Sequence, residues 1–243
     1  MRVLILGGSG EASALARRLA GEPGIEATLS LAGRTSAPAP PPIPFRVGGF
    51  GGIEGLRAYL AAQPIAAVVD ATHPFAARIS ANALAACGDI PLLRLTRPQW
   101  QRQPGDDWRE VDTAAAAVEA LGRPPARVFL THGRLELDVF AQAPQHFYLL
   151  RTIEPPEHLE KLPQHRLILA RGPFALEDEL GLMQVERMEV LVSKNSGGAA
   201  TYAKIEAARL LGLRVVMLKR PAGTEGAVYD VEAAMAWLRA RRG

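Results

Sequence analysis

The sequence predicts an α/β protein built from open parallel sheets and divided into two similar halves. Short apolar runs alternate with longer segments of helical period along the whole chain, which is typical of parallel sheets. In addition, residues 127–136 (RVFLTHGRLE) repeat the pattern of residues 2–11 (RVLILGGSGE). Together these observations favour two α/β halves with a cleft between them, and such clefts bind small molecules.

The predicted strands are mostly near-continuous apolar runs, the pattern of strands that are covered on both faces. They include Arg2–Leu6, Ala27–Ala32, Ala66–Ala71, Pro91–Leu95, Arg127–Leu130, His146–Arg151, Arg166–Leu169, Glu189–Val192 and Arg214–Leu218. Amphipathic helices are predicted between them, among others Glu11–Ala20, Phe75–Ala86, Ala114–Leu121, Thr201–Leu211 and Val231–Arg241.

A domain boundary is predicted near Gly122–Ala126, where Gly-Arg-Pro-Pro breaks a helix before a new strand begins. It gives a first domain over residues 1–124 and a second over residues 125–243. Residues 97–108, which include two prolines and two tryptophans, are predicted to interrupt the strand–helix order.

Composition excludes several classes of protein. The chain has 243 residues, of which 48% are apolar and 22% charged, as in ordinary globular proteins. The net charge of +3 is too small to favour nucleic-acid binding. No stretch approaches the ~18 apolar residues of a membrane span, so no membrane partner is expected. Cys87 is the only cysteine, which excludes an intramolecular disulfide, and we expect a cytoplasmic protein.

A glycine-rich loop follows the first strand and opens the first helix. It comprises Gly7, Gly8, Ser9, Gly10 and Glu11. Glycines let the backbone approach a diphosphate, and a helix N-terminus favours negative charge. A strict G-x-G-x-x-G pattern that starts at Gly8 fails at Ser13, a small residue that still allows close helix packing. The loop predicts a nucleotide site, although a simple tight turn has the same pattern.

The end of the second predicted strand bears on the choice of cofactor. Residues 32–36 read AGRTS and contain no acid of the kind that holds the ribose 2′-hydroxyl of NAD. Arg34, with Thr35 beside it, can instead bind a 2′-phosphate. Together with the glycine loop this favours NADPH over the alternative that Arg34 is a solvated loop residue.

A third candidate segment is DATHPFA, residues 70–76, at the end of a later strand. Ligands of open α/β sheets bind at the carboxyl ends of strands. Thr72 and His73 are therefore candidate cofactor contacts, and His73 is also a candidate proton donor. A structural histidine bonded to a carbonyl is the alternative.

These segments and others occur in one order: GGSGEA, AGRTS, GGFGG (48–52), DATHPFA, RPQW (97–100), LTHGR, VSKNSGG and VVMLKRP. In this the sequence resembles the precorrin-6A reductase family of cobalamin (vitamin B12) biosynthesis over essentially its whole length. The pair DATHPFA and SKNSGG is the specific part of the likeness. The resemblance implies two Rossmann-like domains with an active-site cleft between them. It also implies NADPH-dependent reduction of one carbon–carbon double bond of precorrin-6A, which gives precorrin-6B.

On this basis the first domain is expected to bind NADPH, with Gly49 of the GGFGG loop among its contacts. Two alternatives stay open. A sister branch of the family reduces the cobalt-containing substrate, and a non-catalytic nucleotide-sensing protein would have the same glycine loop.

The second domain is expected to bind the tetrapyrrole, whose many carboxylates require cations and backbone N–H groups. The SKNSGG turn lies at a strand-to-helix junction and supplies both; its candidate residues are Lys194, Asn195, Ser196, Gly197 and Gly198. Lys219 and Arg220 are further cations, and so is Lys204, for which a solvated helix position is equally expected.

The second copy of the glycine loop has lost its glycine richness, so we expect no second nucleotide there. His132 and Gly133 are expected to face the cleft and the substrate instead. His73 and Lys194 are the candidate catalytic residues. Neither His73 nor His132 has a partner at metal-ligand spacing, so no metal is expected. Trp100 and Trp108 are expected to pack in the core, with stacking against the macrocycle as the alternative.

Overall fold

A computed structural model describes residues 1–33, 40–131, 133, 136–223 and 226–242. The chain forms two compact units. The first comprises Met1–Pro98 together with Pro221–Gly243, and the second comprises Gln99–Arg220.

The first unit is a five-stranded parallel sheet in the order β3-β2-β1-β4-β5. Its strands are β1 (Arg2–Leu6), β2 (Glu26–Leu31), β3 (Phe45–Val47), β4 (Ile65–Asp70) and β5 (Leu92–Arg94). The helices of the same stretch are α1 (Gly10–Leu19), α2 (Ile53–Ala62) and α3 (Ala77–Cys87). Four strands of the sheet (β1, β2, β4 and β5) match predicted apolar runs closely, whereas β3 and α2 were not among the elements predicted.

The central strand of this sheet is apolar because helices cover both of its faces. Val3 and Ile5 belong to one cluster of buried residues, with Leu15 of α1. Leu4 and Leu6 belong to another on the opposite face, with residues of α2 and α3. Alternate side chains of a strand point to opposite faces, so burial on both faces requires the continuous apolar run.

The second unit is a six-stranded parallel sheet in the order β6-β11-β10-β7-β8-β9. Its strands are β6 (Asp107–Val111), β7 (Arg127–Thr131), β8 (Phe147–Thr152), β9 (His165–Leu169), β10 (Val190–Lys194) and β11 (Arg214–Leu218). Its helices are α4 (Ala114–Leu121), α5 (Leu137–Phe140), α6 (Leu176–Val185) and α7 (Ala203–Leu210), with a 3-10 turn at Leu159–Lys161. The chain then returns to the first unit as α8 (Val231–Arg239).

The two sheets share one topology. Without β6, the second sheet reads β9-β8-β7-β10-β11, which corresponds strand by strand to β3-β2-β1-β4-β5. The repeated sequence at residues 2 and 127 marks β1 and β7, which hold the same central position. The prediction of an α/β fold with two Rossmann-like parallel-sheet domains is confirmed. The copies differ after the first strand, since α1 has 10 residues and α5 only 4.

The compact units do not divide where the sequence predicted, at residues 124 and 125. The strand β6 pairs with β11, with Asp107 opposite Arg214, so residues 99–124 belong to the second unit. The helix α8 joins the first unit, where Met235 packs in the cluster that contains Leu15. The Gly-Pro stretch near residue 122 is therefore only the loop between α4 and β7. Its local composition could not show which sheet the preceding strand joins.

Candidate functional site

In the first unit, two loops meet at the switch point of the sheet. The strand order reverses between β1 and β4, and this leaves a crevice at their carboxyl ends. Residues 7–9 follow β1 and residues 71–73 follow β4. Ser9 joins the two loops: its Oγ donates to Ala71 O at 2.6 Å and accepts from Ala12 N at 3.1 Å as the cap of α1. Because the Ser9 hydroxyl makes both contacts, its first role is to hold the loops together.

The three glycines of this loop have different surroundings. A Cβ on Gly7 would lie 2.7 Å from Leu29 Cδ1, so a side chain there would collide with the core. Gly8 has a φ of +120°, which L side chains rarely adopt. A Cβ on Gly10 would have no atom of the described residues within 4 Å. Open backbone at the N-terminus of a helix is what a diphosphate requires, so Gly8 and Gly10 fit the predicted role.

Glu11 lies in the first turn of α1 and forms an ion pair with Arg97. Arg97 Nη1 lies 2.9 Å from Glu11 Oε2, and the side chains of Arg97 and Glu11 are 18% and 23% exposed. Arg97 belongs to the RPQW motif, for which the sequence predicted no role. A contact between residues 86 positions apart depends on the strand order, which the sequence did not reveal.

The DATHPFA segment is organised around the buried carboxylate of Asp70. Its Oδ1 accepts from Thr72 N at 3.1 Å and from Thr72 Oγ1 at 2.6 Å. Arg94 Nη1 lies 3.6 Å from Asp70 Oδ2. Thr72, a predicted cofactor contact, is itself buried and bonded to Asp70, so it shapes the turn.

His73 is half-buried at the same end of β4. Its Nδ1 accepts a hydrogen bond from Phe75 N at 3.3 Å, and its carbonyl accepts from Ala76 N at 2.7 Å. With Nδ1 as an acceptor, the proton of the neutral imidazole is on Nε2. That tautomer makes Nε2 the atom able to donate a proton.

The GGFGG loop follows β3 and is held by Arg46. Arg46 Nη1 donates to Ser30 Oγ at 2.7 Å and to Gly48 O at 2.9 Å, and its Nη2 donates to Gly49 O at 3.1 Å. The guanidinium also lies 4.1 Å from the centre of the Phe50 ring. The loop that carries Gly49 is therefore fixed beside the end of β2. Arg46 had no predicted role.

Three predicted site residues lie outside the described part of the chain. They are Arg34 and Thr35, assigned to the 2′-phosphate, and His132, assigned to the substrate. Their roles stay predictions. Gly133, beside His132, has a φ of +94°, and a Cβ there would meet no described atom within 4 Å.

In the second unit, Lys194 lies at the end of β10, the counterpart of β4. Its Nζ lies 3.9 Å from Glu136 Oε2, and the lysine side chain is 18% exposed. Gly197 and Gly198 follow with φ of +70° and +79°, a conformation that favours glycine.

Other residues of the SKNSGG turn bind Trp100. Asn195 Oδ1 accepts from Trp100 N at 2.9 Å, and Asn195 Nδ2 donates to Trp100 O at 3.0 Å. Trp100 Nε1 donates to Gly198 O at 2.8 Å. The amide of Asn195, predicted to bind substrate, therefore holds the turn in shape. Trp100 is buried, as expected, but the sequence did not predict its hydrogen bonds to this turn.

The remaining predicted cations are engaged with the protein. Arg220 is buried, and its Nη2 donates to Ser196 O at 3.0 Å. Lys219 Nζ lies 2.7 Å from Asp112 Oδ1, and this hydrogen bond raises the pKa of Lys219. Lys204 is buried with its Nζ 5.6 Å from the centre of the Trp100 ring. The alternative of a solvated Lys204 is therefore wrong.

Trp100 and Trp108 are both buried, and a cavity of about 300 Å³ lies beside them.

Among the described residues, no group of three or more His, Cys, Asp or Glu side chains could hold a metal ion. No helix in this part of the chain is long and apolar enough to cross a bilayer.

The duplicated strand order and the glycine loop at the first switch point define a Rossmann-like α/β protein with two sheets. A family model described as precorrin-6x reductase CbiJ/CobK matches residues 2–239. The chain belongs to this family, as the motifs predicted.

Individual relatives agree with this membership. The precorrin-6A reductase of Rhodobacter capsulatus is 48% identical over 240 residues, which are 98% of this chain and 95% of that protein. The precorrin-6A reductase of Rhodococcus erythropolis is 49% identical over 242 residues, 98% and 97% of the two chains. The cobalt-precorrin-6A reductase of Priestia megaterium is 31% identical over 189 residues, 73% and 74%. A solved structure of a CobK precorrin-6A reductase superposes with a TM-score of 0.92 at 48% identity and covers 99% of this chain and 97% of its own.

Membership in a family of reductases implies a reduced nicotinamide cofactor in general. The first unit fits such a group, because Gly8 and Gly10 leave the backbone open at the N-terminus of α1. A dinucleotide bound at the switch point would also lie near His73, which follows the adjacent strand.

Proposed function

We propose that this protein is an NADPH-dependent precorrin-6A reductase, which reduces one carbon–carbon double bond of the macrocycle to give precorrin-6B. The observation that carries the proposal is the open glycine loop at the first switch point. It occurs in a chain that is 48% identical to the Rhodobacter capsulatus precorrin-6A reductase over nearly its whole length. Identity to the cobalt-precorrin-6A reductase of Priestia megaterium is lower, at 31%.

The first unit holds the cofactor in this proposal. The N–H groups at the start of α1 bind the diphosphate, and Arg34 binds the 2′-phosphate. The choice of NADPH over NADH is supported by the end of β2, where residues 32 and 33 are Ala and Gly and no acid is present to bind a free 2′-hydroxyl. Bound NADPH supplies the hydride, and the protein supplies position and charge.

The second unit holds the tetrapyrrole. Lys194 and the glycine backbone at residues 197–198 bind its carboxylates, while Asn195 and Trp100 keep the turn in shape. His73 donates a proton from Nε2 in this proposal, and the hydrogen bond that its Nδ1 accepts from Phe75 N supports the required tautomer. Lys194 stabilises negative charge that develops on the ring system.

The proposal places the enzyme in the cytoplasm. Cys87, the only cysteine, is buried on α3, and burial raises its pKa to about 11. It is therefore a thiol at neutral pH and has no partner for an intramolecular disulfide, as suits a reducing compartment.

The test is turnover with two substrates in parallel. Metal-free precorrin-6A and its cobalt complex are each offered with NADPH, and cofactor oxidation is followed by nicotinamide absorbance. We expect oxidation with the metal-free substrate and formation of a dihydro product. Oxidation with the cobalt complex alone would assign the protein to the other branch. Binding of NADPH without oxidation in either case would identify a nucleotide sensor.

A further inference from the structure

The ion pair between Glu11 and Arg97 lies at the carboxyl ends of the strands, where the proposed cofactor binds. Glu11 is in the first turn of α1, directly after β1, and Arg97 comes shortly after β5. The strand β4 lies between β1 and β5, and all three are parallel. The two strands that lead to the pair, β1 and β5, are about two strand spacings, or ~10 Å, apart, so the two side chains meet across the carboxyl end of β4.

The charged groups of Glu11 and Arg97 are in direct contact and largely shielded from solvent. The contact is 2.9 Å long, and the side chains of Arg97 and Glu11 are 18% and 23% exposed, well below those of the exposed pairs Arg2–Glu26 and Glu54–Arg57. Glu11 follows Gly10, whose backbone faces open space. A carboxylate so close to a bound diphosphate would repel it unless a cation lies beside it, and Arg97 is that cation.

We propose that Arg97 binds the diphosphate of the dinucleotide and that Glu11 is a positioning residue, which holds the guanidinium over the end of β4. The inference rests on the proposed function. It changes the role of Glu11, which the sequence assigned to direct cofactor contact. It also adds a second source of charge to the helix N-terminus, from a residue outside the glycine loop.

The experiment separates the diphosphate from the rest of the cofactor. NADP⁺ and ADP-ribose contain a diphosphate, whereas 2′-AMP has the adenine, ribose and 2′-phosphate without it. Dissociation constants of the three are measured by calorimetry for the full chain and for Arg97→Gln. We expect Arg97→Gln to weaken NADP⁺ and ADP-ribose about 10- to 100-fold and to leave 2′-AMP within about twofold.

A double variant tests the role of Glu11. In Arg97→Gln the Glu11 carboxylate stays beside the diphosphate without its cation, so adding Glu11→Gln should recover part of the lost affinity. Arg97→Lys keeps the charge and should retain more affinity than Arg97→Gln. Arg57→Gln, which breaks the exposed Glu54–Arg57 pair on α2, is the matched control and should change nothing.

The outcomes are distinguishable. If the unaltered protein bound neither NADP⁺ nor ADP-ribose, the proposed function would fail and the inference with it. If it bound both and Arg97→Gln did so equally well, or if 2′-AMP were weakened as much as NADP⁺, only the role of Arg97 would be refuted. A double variant that binds NADP⁺ more weakly than Arg97→Gln would show that Glu11 contributes to binding without Arg97. That result would refute its positioning role. Thermal melting of each variant without ligand, with Arg97→Lys as the conservative change, shows whether the fold is retained.

Discussion

Asn195 and Trp100 bind each other through a pair of hydrogen bonds in which the side-chain amide of one residue meets both backbone groups of the other. Trp100 N donates to Asn195 Oδ1 at 2.9 Å, and Asn195 Nδ2 donates to Trp100 O at 3.0 Å. Both residues are buried, so neither backbone group has access to bulk water as a substitute partner.

Replacement of Asn195 by Asp tests this pair. The change keeps the acceptor for Trp100 N but sets an oxygen against Trp100 O, so we expect a loss of about 1–3 kcal/mol in the free energy of unfolding. Urea denaturation of the full chain measures it. Asn82→Asp, at a partly exposed position on α3, is the control. Equal stabilities for the two variants would show that the pair contributes little.

Arg34 carries the predicted preference for NADPH. Arg34→Ala should weaken NADPH binding by about 1.5–3 kcal/mol, the usual value of a hydrogen bond to a charged group, and leave NADH binding nearly unchanged. Fluorescence titration with each cofactor measures both. Arg17→Ala, at an exposed position on α1, serves as the control. Similar losses for the two cofactors would mean that Arg34 does not bind the 2′-phosphate.

Gly10 offers a direct test of the phosphate loop. Gly8→Val and Gly10→Val are both expected to block the diphosphate, but valine at Gly8 would also be strained at a φ of +120°. Gly10→Val should therefore leave the melting temperature near that of the unaltered protein and abolish NADP⁺ binding. Gly7→Ala should instead destabilise the fold, because its Cβ would lie 2.7 Å from Leu29 Cδ1. A folded Gly10→Val that binds NADP⁺ normally would place the nucleotide elsewhere.

Lys194 is expected to act on the tetrapyrrole and not on the nucleotide. Lys194→Ala should raise the KM for the tetrapyrrole about tenfold or more, with NADP⁺ dissociation unchanged. Because the ammonium in this proposal also stabilises negative charge on the ring system, kcat should fall as well. Steady-state kinetics and a cofactor titration are run side by side, with Lys161→Ala at an exposed ion pair as control. Loss of cofactor affinity in Lys194→Ala would reverse the assignment.

The buried His146 is expected to lower the free energy of unfolding in mild acid. It is fully buried, and burial lowers its pKa from the usual 6.5. Its Nδ1 accepts from Ala126 N at 3.1 Å, which requires the neutral ring. Above pH 6.5 the imidazole is neutral in both states, so its contribution to stability is complete. As pH falls below that value, the unfolded chain takes up a proton that the folded one resists, and stability is lost until the folded pKa is passed.

The control for this prediction is another histidine. His146→Asn should flatten the dependence of the unfolding free energy on pH just below 6.5, whereas His158→Asn at an exposed position should not. Denaturation at a series of pH values distinguishes them. Parallel curves for the unaltered protein and His146→Asn would contradict the prediction.

Local pattern was enough to predict most of the strands and the family of this protein. Apolar runs such as Arg2–Leu6 and Arg127–Thr131 become central strands because burial on both faces demands a continuous apolar sequence. The glycine loop was also readable, since backbone freedom and helix polarity act within a few residues. The motif order indicated the reductase family before any contact was known.

Contacts between distant segments were decided by the tertiary structure. Residues 99–124 belong to the second unit because β6 pairs with β11. The sequence of an edge strand does not show which strand it will pair with, so this assignment required the tertiary structure. Likewise, Asn195 meets Trp100 across 95 residues and Glu11 meets Arg97 across 86. Such pairs depend on the order of strands in a sheet. A polar residue whose sequence context predicts ligand binding can therefore be hydrogen-bonded to another part of the chain instead.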